Sequence, residues 1–196
     1  MGCNITCVIE VRCEGKWAYH SALKLQRNYS LFAMLADVCN TADNLGRPSA
    51  SAEDDRINPI HPRRGLPTDV SSAICDETRN NGYCHSWATL RELIDYGWGQ
   101  TFCQRGWVSA DEYLRFKQFG KPDGWSLAVG GGATEHVSNE AMDQRIKAGT
   151  AAHCRTMVAW WSTYGDAAGH FFDVAMAHLR TLGAPEDVRI VFWFDG

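Results

Sequence analysis

The stretch from Cys3 to Cys13 (C-N-I-T-C-V-I-E-V-R-C) constrains the fold more than any other part of the chain. Its odd positions, Cys3, Ile5, Cys7, Ile9, Val11 and Cys13, are all apolar if cysteine counts as a small hydrophobe. Its even positions, Asn4, Thr6, Val8, Glu10 and Arg12, are mostly polar. Side chains alternate between the two faces of a strand, so a period of two over this length predicts a strand whose odd face enters a core. Glu14-Gly15-Lys16 then reads as a turn and Trp17 to His20 as a returning strand. At the far end, Val188-Arg189-Ile190-Val191-Phe192-Trp193-Phe194-Asp195 is apolar on both faces, which suits a central strand. The expected fold class is α+β. A small, mainly antiparallel sheet holds the N-terminal hairpin and the C-terminal strand, and several helices pack on it.

Helix signals fill the space between. Asn28 or Ser30 can cap a helix through Leu31 to Val38. Ser86 can cap one from Trp87 to Tyr96, stopped by Gly97. Ser109 opens another, with Glu112 at the capping-box position and Gly120 as the stop. Ser138 is expected to start a long helix over 139–163, on the spacing of Met142, Ile146, Gly149, His153, Met157 and Trp160. Asp166 is expected to cap one that runs to Leu182, with Gly183 as its stop. The triplet Gly130-Gly131-Gly132 lacks the lysine and serine of a phosphate loop and reads as a flexible turn. Residues 40–84 are rich in Asn, Asp, Ser, Gly and Pro, and read as a long loop insertion within a single domain spanning 1–196. That segment ends on the turn signal Asn80-Asn81-Gly82.

The net charge is −4 and no basic run exceeds Arg63-Arg64, so the sequence gives no direct support for nucleic-acid binding. No window is long and apolar enough for a membrane helix, and no leader pattern opens the chain. Met-Gly-x-x-x-Thr matches a myristoylation pattern, but a strand starting at residue 3 or 4 leaves no free tether. None of the eight cysteines forms a C-x-x-C pair, so reduced thiols are expected, with no bound metal and no cofactor.

The residues with chemical potential are scattered. Asn4 and Thr6 are i, i+2 neighbours on one strand face and can aim at one ligand. His85 lies where a turn meets a helix start, and Cys84 beside it is a candidate nucleophile at that terminus. Arg64 can present its planar fork to a phosphate or carboxylate, or pair with a loop acid. Arg63, Asp69, Arg27 and Arg189 have the same two readings. His153, His170 and His178 sit among apolar helix neighbours and read as core or boundary residues. Trp98, Trp107, Trp125, Trp160 and Trp161 are either core or a surface on which a base can stack.

Several segments together resemble a family of uncharacterised phage and bacterial proteins that begin Met-Gly-Cys-Asp-Ile-His. They are M-G-C-N-I-T at 1–6, R-N-Y-S-L-F-A-M-L-A at 27–36, R-G-L-P-T-D-V-S at 64–71, H-S-W-A-T-L-R-E-L at 85–93 and R-I-V-F-W-F-D at 189–195. The resemblance implies a mobile-element setting in the bacterial cytoplasm and no defined activity. Where the family has Asp and His, this chain has Asn4 and Thr6, and it carries Tyr83 where the family favours a further histidine. Asn and Thr are poor ligands for a catalytic metal. The expectation is therefore an accessory protein that acts by binding a host protein or a nucleotide ligand, as an inhibitor of a bacterial defence system such as CRISPR would. The alternative is a metal-dependent or nucleotide-directed hydrolase with a site around Asn4, Thr6, Arg64 and His85.

Overall fold

The computed structural model describes residues 2–40, 56–78, 82–127 and 134–196. Helices and two sheets make it an α+β protein, and the sheet with the N-terminal hairpin and C-terminal strand is antiparallel throughout. The sequence reading treated 1–196 as one domain. The contacts group into two compact units, because all but the last residue of a second sheet, with its own core, falls within residues 101–162. The described part of the first unit is 2–40, 57–78, 82–100 and 163–196.

In the first unit, β1 (Asn4–Cys13) turns directly into β2 (Lys16–Ala22). Glu14 and Gly15 both take positive φ, 51° and 77°, as a two-residue hairpin turn that follows the natural strand twist requires. β3 (Tyr83–Thr89) and the C-terminal strand, here β7 (Val188–Asp195), complete a sheet of order β2-β1-β7-β3. β7 pairs antiparallel with both neighbours and is buried over Val188 to Phe194, which is why its sequence is apolar on both faces.

Both faces of this sheet are covered. α1 (Tyr29–Ala36) is capped by Asn28, whose side chain accepts from the Leu31 amide at 3.0 Å. Its Phe32 ring meets Phe194 edge-on at 5.2 Å. On the opposite face Val8, Val191 and Trp193 pack with Ile74 of α2 (Ser72–Thr78), flanked by Leu66, Val70 and Trp87. This corrects the one-sided reading of β1. Cys3, Cys7 and Ile9 are buried as expected, but so are Val8 and Glu10, while Cys13 is exposed beside the turn.

The covering segment also revises the long-loop reading of 40–84. Residues 41–55 and 79–81 lie outside the described residues, so the turn at Asn80-Asn81 does too. Residues 57–78 are not an excursion: Ile57 and Ile74 are fully buried. The Asn40 amide side chain bonds the Ile57 backbone in both directions, donating at 2.7 Å and accepting at 3.2 Å.

Two expected helices of this unit change. Ser86 does not cap a helix; it lies fully buried in β3, opposite Phe192. The free edge of β7 recruits residues 83–89 as a strand, and the helix shrinks to α3 (Leu90–Asp95). Thr89 caps α3 in a complete capping box with Glu92. The Asp166 helix is likewise replaced. Thr163 caps a short α-helix, Tyr164–Ala168, which ends at Gly169. A π-helical turn, Phe171–Ala175, and a final helical turn, Met176–Leu179, follow.

The second unit has β4 (Thr101–Val108), β5 (Glu135–Val137) and β6 (Cys154–Thr163) in the order β4-β6-β5. α4 (Ala110–Phe119) starts at Ser109 and stops at Gly120, as its sequence predicts. α5 (Asn139–Lys147) starts at Ser138 but ends well short of 163. Cys154, Thr156, Val158, Trp160 and Ser162 are buried in alternation, the signature of a half-covered strand. Val108, Tyr113, Met142, Cys154, Val158 and Trp160 form the core of this unit. The glycine triplet 130–132 lies outside the described residues.

Candidate functional site

Asn4, Thr6, Arg64, Cys84 and His85 all belong to the first unit. The register places Asn4 opposite Asp195 and Thr6 opposite Trp193, and the His85 ring stacks on Trp193 at 6.2 Å. Trp193 on β7 thus lies between Thr6 on β1 and His85, which is in β3 rather than at a helix start.

Asn4 is spoken for inside the protein. Its Oδ1 accepts from Arg27 Nη2 at 2.6 Å and Nε at 3.2 Å, and its Nδ2 donates to Asp195 Oδ1 at 3.2 Å. The amide bridges a cation and an anion at the sheet end.

Arg64 is an internal clamp. It donates to both Glu92 carboxylate oxygens, at 3.0 and 2.7 Å, and twice to the Trp87 carbonyl, at 3.0 and 2.8 Å. Its guanidinium also lies 3.8 Å over the Trp87 ring. The segment after Arg64 is thereby pinned to the sheet. Burial works against ionisation of Glu92, but the Arg64 bonds and the Thr89 amide overcome it and hold the carboxyl below its ordinary range. A depressed carboxyl contributes stability above its unfolded pKa and loses it as pH falls through the folded value. Glu92→Gln is therefore expected to be less stable than the parent at pH 7, with the gap closing as pH drops below about 4. Urea melts at stepped pH check this; a gap that widens on acidification overturns it.

Cys84 sits in the bulge between Tyr83 and Ser86 with φ 53°, and Arg63 Nη1 donates to its sulfur at 2.7 Å. Its neighbour is thus an arginine, and the His85 ring runs along Trp193. Cys3 lies against Tyr83, the residue before Cys84. Tyr83 donates to Cys3 Sγ at 3.2 Å. That bond and burial push the Tyr83 hydroxyl up to about 12. Cys7 lies deeper in the sheet, and burial alone pushes its thiol far up.

Arg189 also turns inward, and Asp69 meets it from the surface. Arg189 bonds Glu10 Oε2 at 2.6 Å and Asp69 Oδ1 at 2.8 Å.

The second unit carries a feature of another kind. Its sheet is covered on one face by α4, α5 and Trp125, which packs on Trp160 at 5.4 Å. Trp125 also lies against Gly106, where an added Cβ would fall 2.6 Å from the ring. The other face presents Cys103, Arg105 and Trp107 from β4, Arg155, Met157, Ala159 and Trp161 from β6, and His136 from β5. Trp107 and His136 stack at 4.2 Å and 20°. Trp161 is 69% exposed. Arg105 Nε is buried and has no hydrogen-bond partner among the described residues. Arg155 donates to the Cys154 carbonyl at 2.9 Å. Elsewhere in the unit, Arg115, Lys117 and Arg145 are paired with Asp123, Asp143 and Glu135. The outward positions of β4 and β6 include no carboxylate.

Of the tryptophans singled out from sequence, Trp98 and Trp160 are core, Trp125 packs on Trp160, and Trp107 and Trp161 lie on the face opposite the helices. Arg105 and Arg155 escaped the sequence reading. The outward alternation Arg155, Met157, Ala159, Trp161 was the available signal, hidden by the helical assignment of 139–163.

Among the described residues no three His, Cys, Asp or Glu side chains form a metal-binding group, and no helix is long and apolar enough to cross a membrane. No family model, curated protein or solved structure matches this chain.

Proposed function

We propose that this protein acts by binding, and that it holds a nucleotide-type ligand on the open face of its second sheet. The observation that carries this reading is the grouping of Arg105 and Arg155 with Trp107, His136 and Trp161 on a face where the outward positions of β4 and β6 carry no carboxylate. Aromatic rings stack on bases of any kind, and guanidinium groups take phosphate oxygens bidentately. A buried guanidinium nitrogen without a partner is costly, and an arriving anion relieves that cost. In the mobile-element setting that the resemblance implies, such a protein would withhold a nucleotide from a host defence system, as an anti-CRISPR-like inhibitor. The hydrolase alternative needs Asn4 and Arg64 to meet a substrate, and both are engaged in internal bonds.

Calorimetric titration with nucleoside mono- and triphosphates tests the reading. Saturable binding is expected. Base stacking is worth about 1–3 kcal/mol, so Trp161→Ala is expected to weaken binding by about tenfold. Arg105→Ala should weaken it comparably, while Trp125→Ala should act through stability instead. Absence of saturation with every nucleotide up to about 1 mM, an affinity of only about 4 kcal/mol, would refute the proposal.

A further inference from the structure

On the face of the second sheet opposite the helices, aromatic rings stand at two ends, and the distance between them selects among nucleotide ligands. At one end the Trp107 and His136 rings stack at 4.2 Å, and His136 is the register partner of Arg155 on β6. At the other end stands Trp161, 69% exposed and six positions further along β6. A strand rises about 3.3 Å per residue, so the two aromatic ends are about 20 Å apart. Gln100, just before β4, accepts from the Tyr164 amide, just after β6, at 2.8 Å. The start of β4 therefore lies by the end of β6, and the two strands run antiparallel. Arg105, two positions before Trp107, falls between the aromatic ends. The floor there is Met157 and the exposed Ala159. The acid of β5, Glu135, pairs with Arg145 and is the register partner of Cys154, which is buried in the core on the other face.

Resting on the nucleotide reading above, we infer that the ligand is a single-stranded nucleic acid several nucleotides long. It lies along β6 with bases stacked at both ends and phosphates on Arg155 and Arg105. A mononucleotide brings one base, and one base cannot serve rings about 20 Å apart. Successive nucleotides are about 3.4 Å apart when stacked as in a duplex strand and roughly double that when splayed, so the span takes about three to six of them. Single strands bind sheets in this manner elsewhere, their unstacked bases laid on rings of the outward face. A duplex does not fit, because its bases already stack on one another and offer no open face to a ring. Rings take any base and guanidinium forks take any phosphate, so DNA and RNA strands are both accepted.

The test titrates the full chain with thymidine monophosphate, a thymidine dinucleotide and a thymidine octanucleotide, read by tryptophan quenching. The octanucleotide is expected to bind about a hundredfold tighter than the monophosphate, because the second aromatic end is then reached within one complex. The dinucleotide, too short to bridge, should gain little. A uridine octanucleotide should match the thymidine one. Two phosphate contacts at about −0.7 each predict a log–log salt slope of about −1.4 for the octanucleotide, falling to about −0.7 in Arg155→Ala. In Trp161→Ala the gain with length is expected to vanish; Trp161 is exposed, so this variant should fold as the parent does. Saturation by the monophosphate with a length gain under about tenfold, which the greater number of bases alone can supply, would overturn this inference and leave the nucleotide reading standing. So would a full gain that survives Trp161→Ala, or an octamer duplex that binds as tightly as the strand. Saturation by none of the ligands would remove both.

Discussion

Arg189→Ala is expected to destabilise the first unit by about 3–5 kcal/mol, enough to unfold a marginal domain. Arg189 is 2% exposed in the central strand and Glu10 is wholly buried in its neighbour. The Nε–Oε2 bond between them is 2.6 Å, and the other Glu10 oxygen accepts from the Ser71 amide at 2.8 Å. The guanidinium also bonds Asp69 and lies 4.1 Å over the Trp17 ring. Truncating the arginine strands a buried carboxylate, and that stranded charge, more than the lost attraction, sets the size of the effect. Replacing both partners by apolar residues of similar size should recover much of the loss, since such exchanges are often neutral. Asp69→Asn should cost far less, because its side chain is 61% exposed and water screens the pairing. Urea unfolding of the four proteins checks the order. An Arg189→Ala cost under about 1 kcal/mol would mean that the pair is not buried as described.

Phe194→Ala is expected to cost about 3–5 kcal/mol by leaving a cavity in a core that cannot collapse around it. Phe194 is fully buried and its ring meets Phe32 at 5.2 Å, Phe192 at 6.0 Å and Tyr83 at 6.4 Å. It joins α1, β7 and β3 at one point, so its loss should be felt on all three. Phe194→Leu should cost distinctly less, since most of the apolar volume remains. Phe119→Ala, at an exposed site of the second unit, should change stability by no more than about 0.5 kcal/mol. Thermal melts of the three variants suffice; equal losses at 194 and 119 would contradict the described core.

How far the sequence could be trusted depended on whether the deciding interaction was local. The N-terminal hairpin was legible because eleven residues alternate and the turn needs only its own two residues. The caps at Asn28, Ser109 and Ser138 were legible because a cap is a bond between a side chain and an amide three residues on. Residues 154–163 failed for a related reason. Met142, Ile146, Gly149, His153, Met157 and Trp160 fit a helical spacing, and the same segment fits alternation equally well. Only the presence of β4 and β5 on either side decides for the strand. At Ser86 a good capping residue lost to the open edge of β7, and the cap moved three residues on to Thr89.

The candidate sites divide the same way. That Asn4 and Thr6 share a strand face was foreseeable from periodicity; His85 was read at a helix start and lies instead in β3, stacked on Trp193. The clamping of Arg64 on Glu92, the Tyr83–Cys3 contact, and the Arg105 Nε left without a partner among the described residues were not foreseeable. By itself the sequence determined the elements whose signals are periodic or span a few residues: the hairpin, the central strand and the capped helix starts. The tertiary structure alone decided which polar side chains are satisfied and which are left facing outward. The physical reason is that a salt bridge or a thiol contact joins residues tens of positions apart, and no short window of sequence carries that distance.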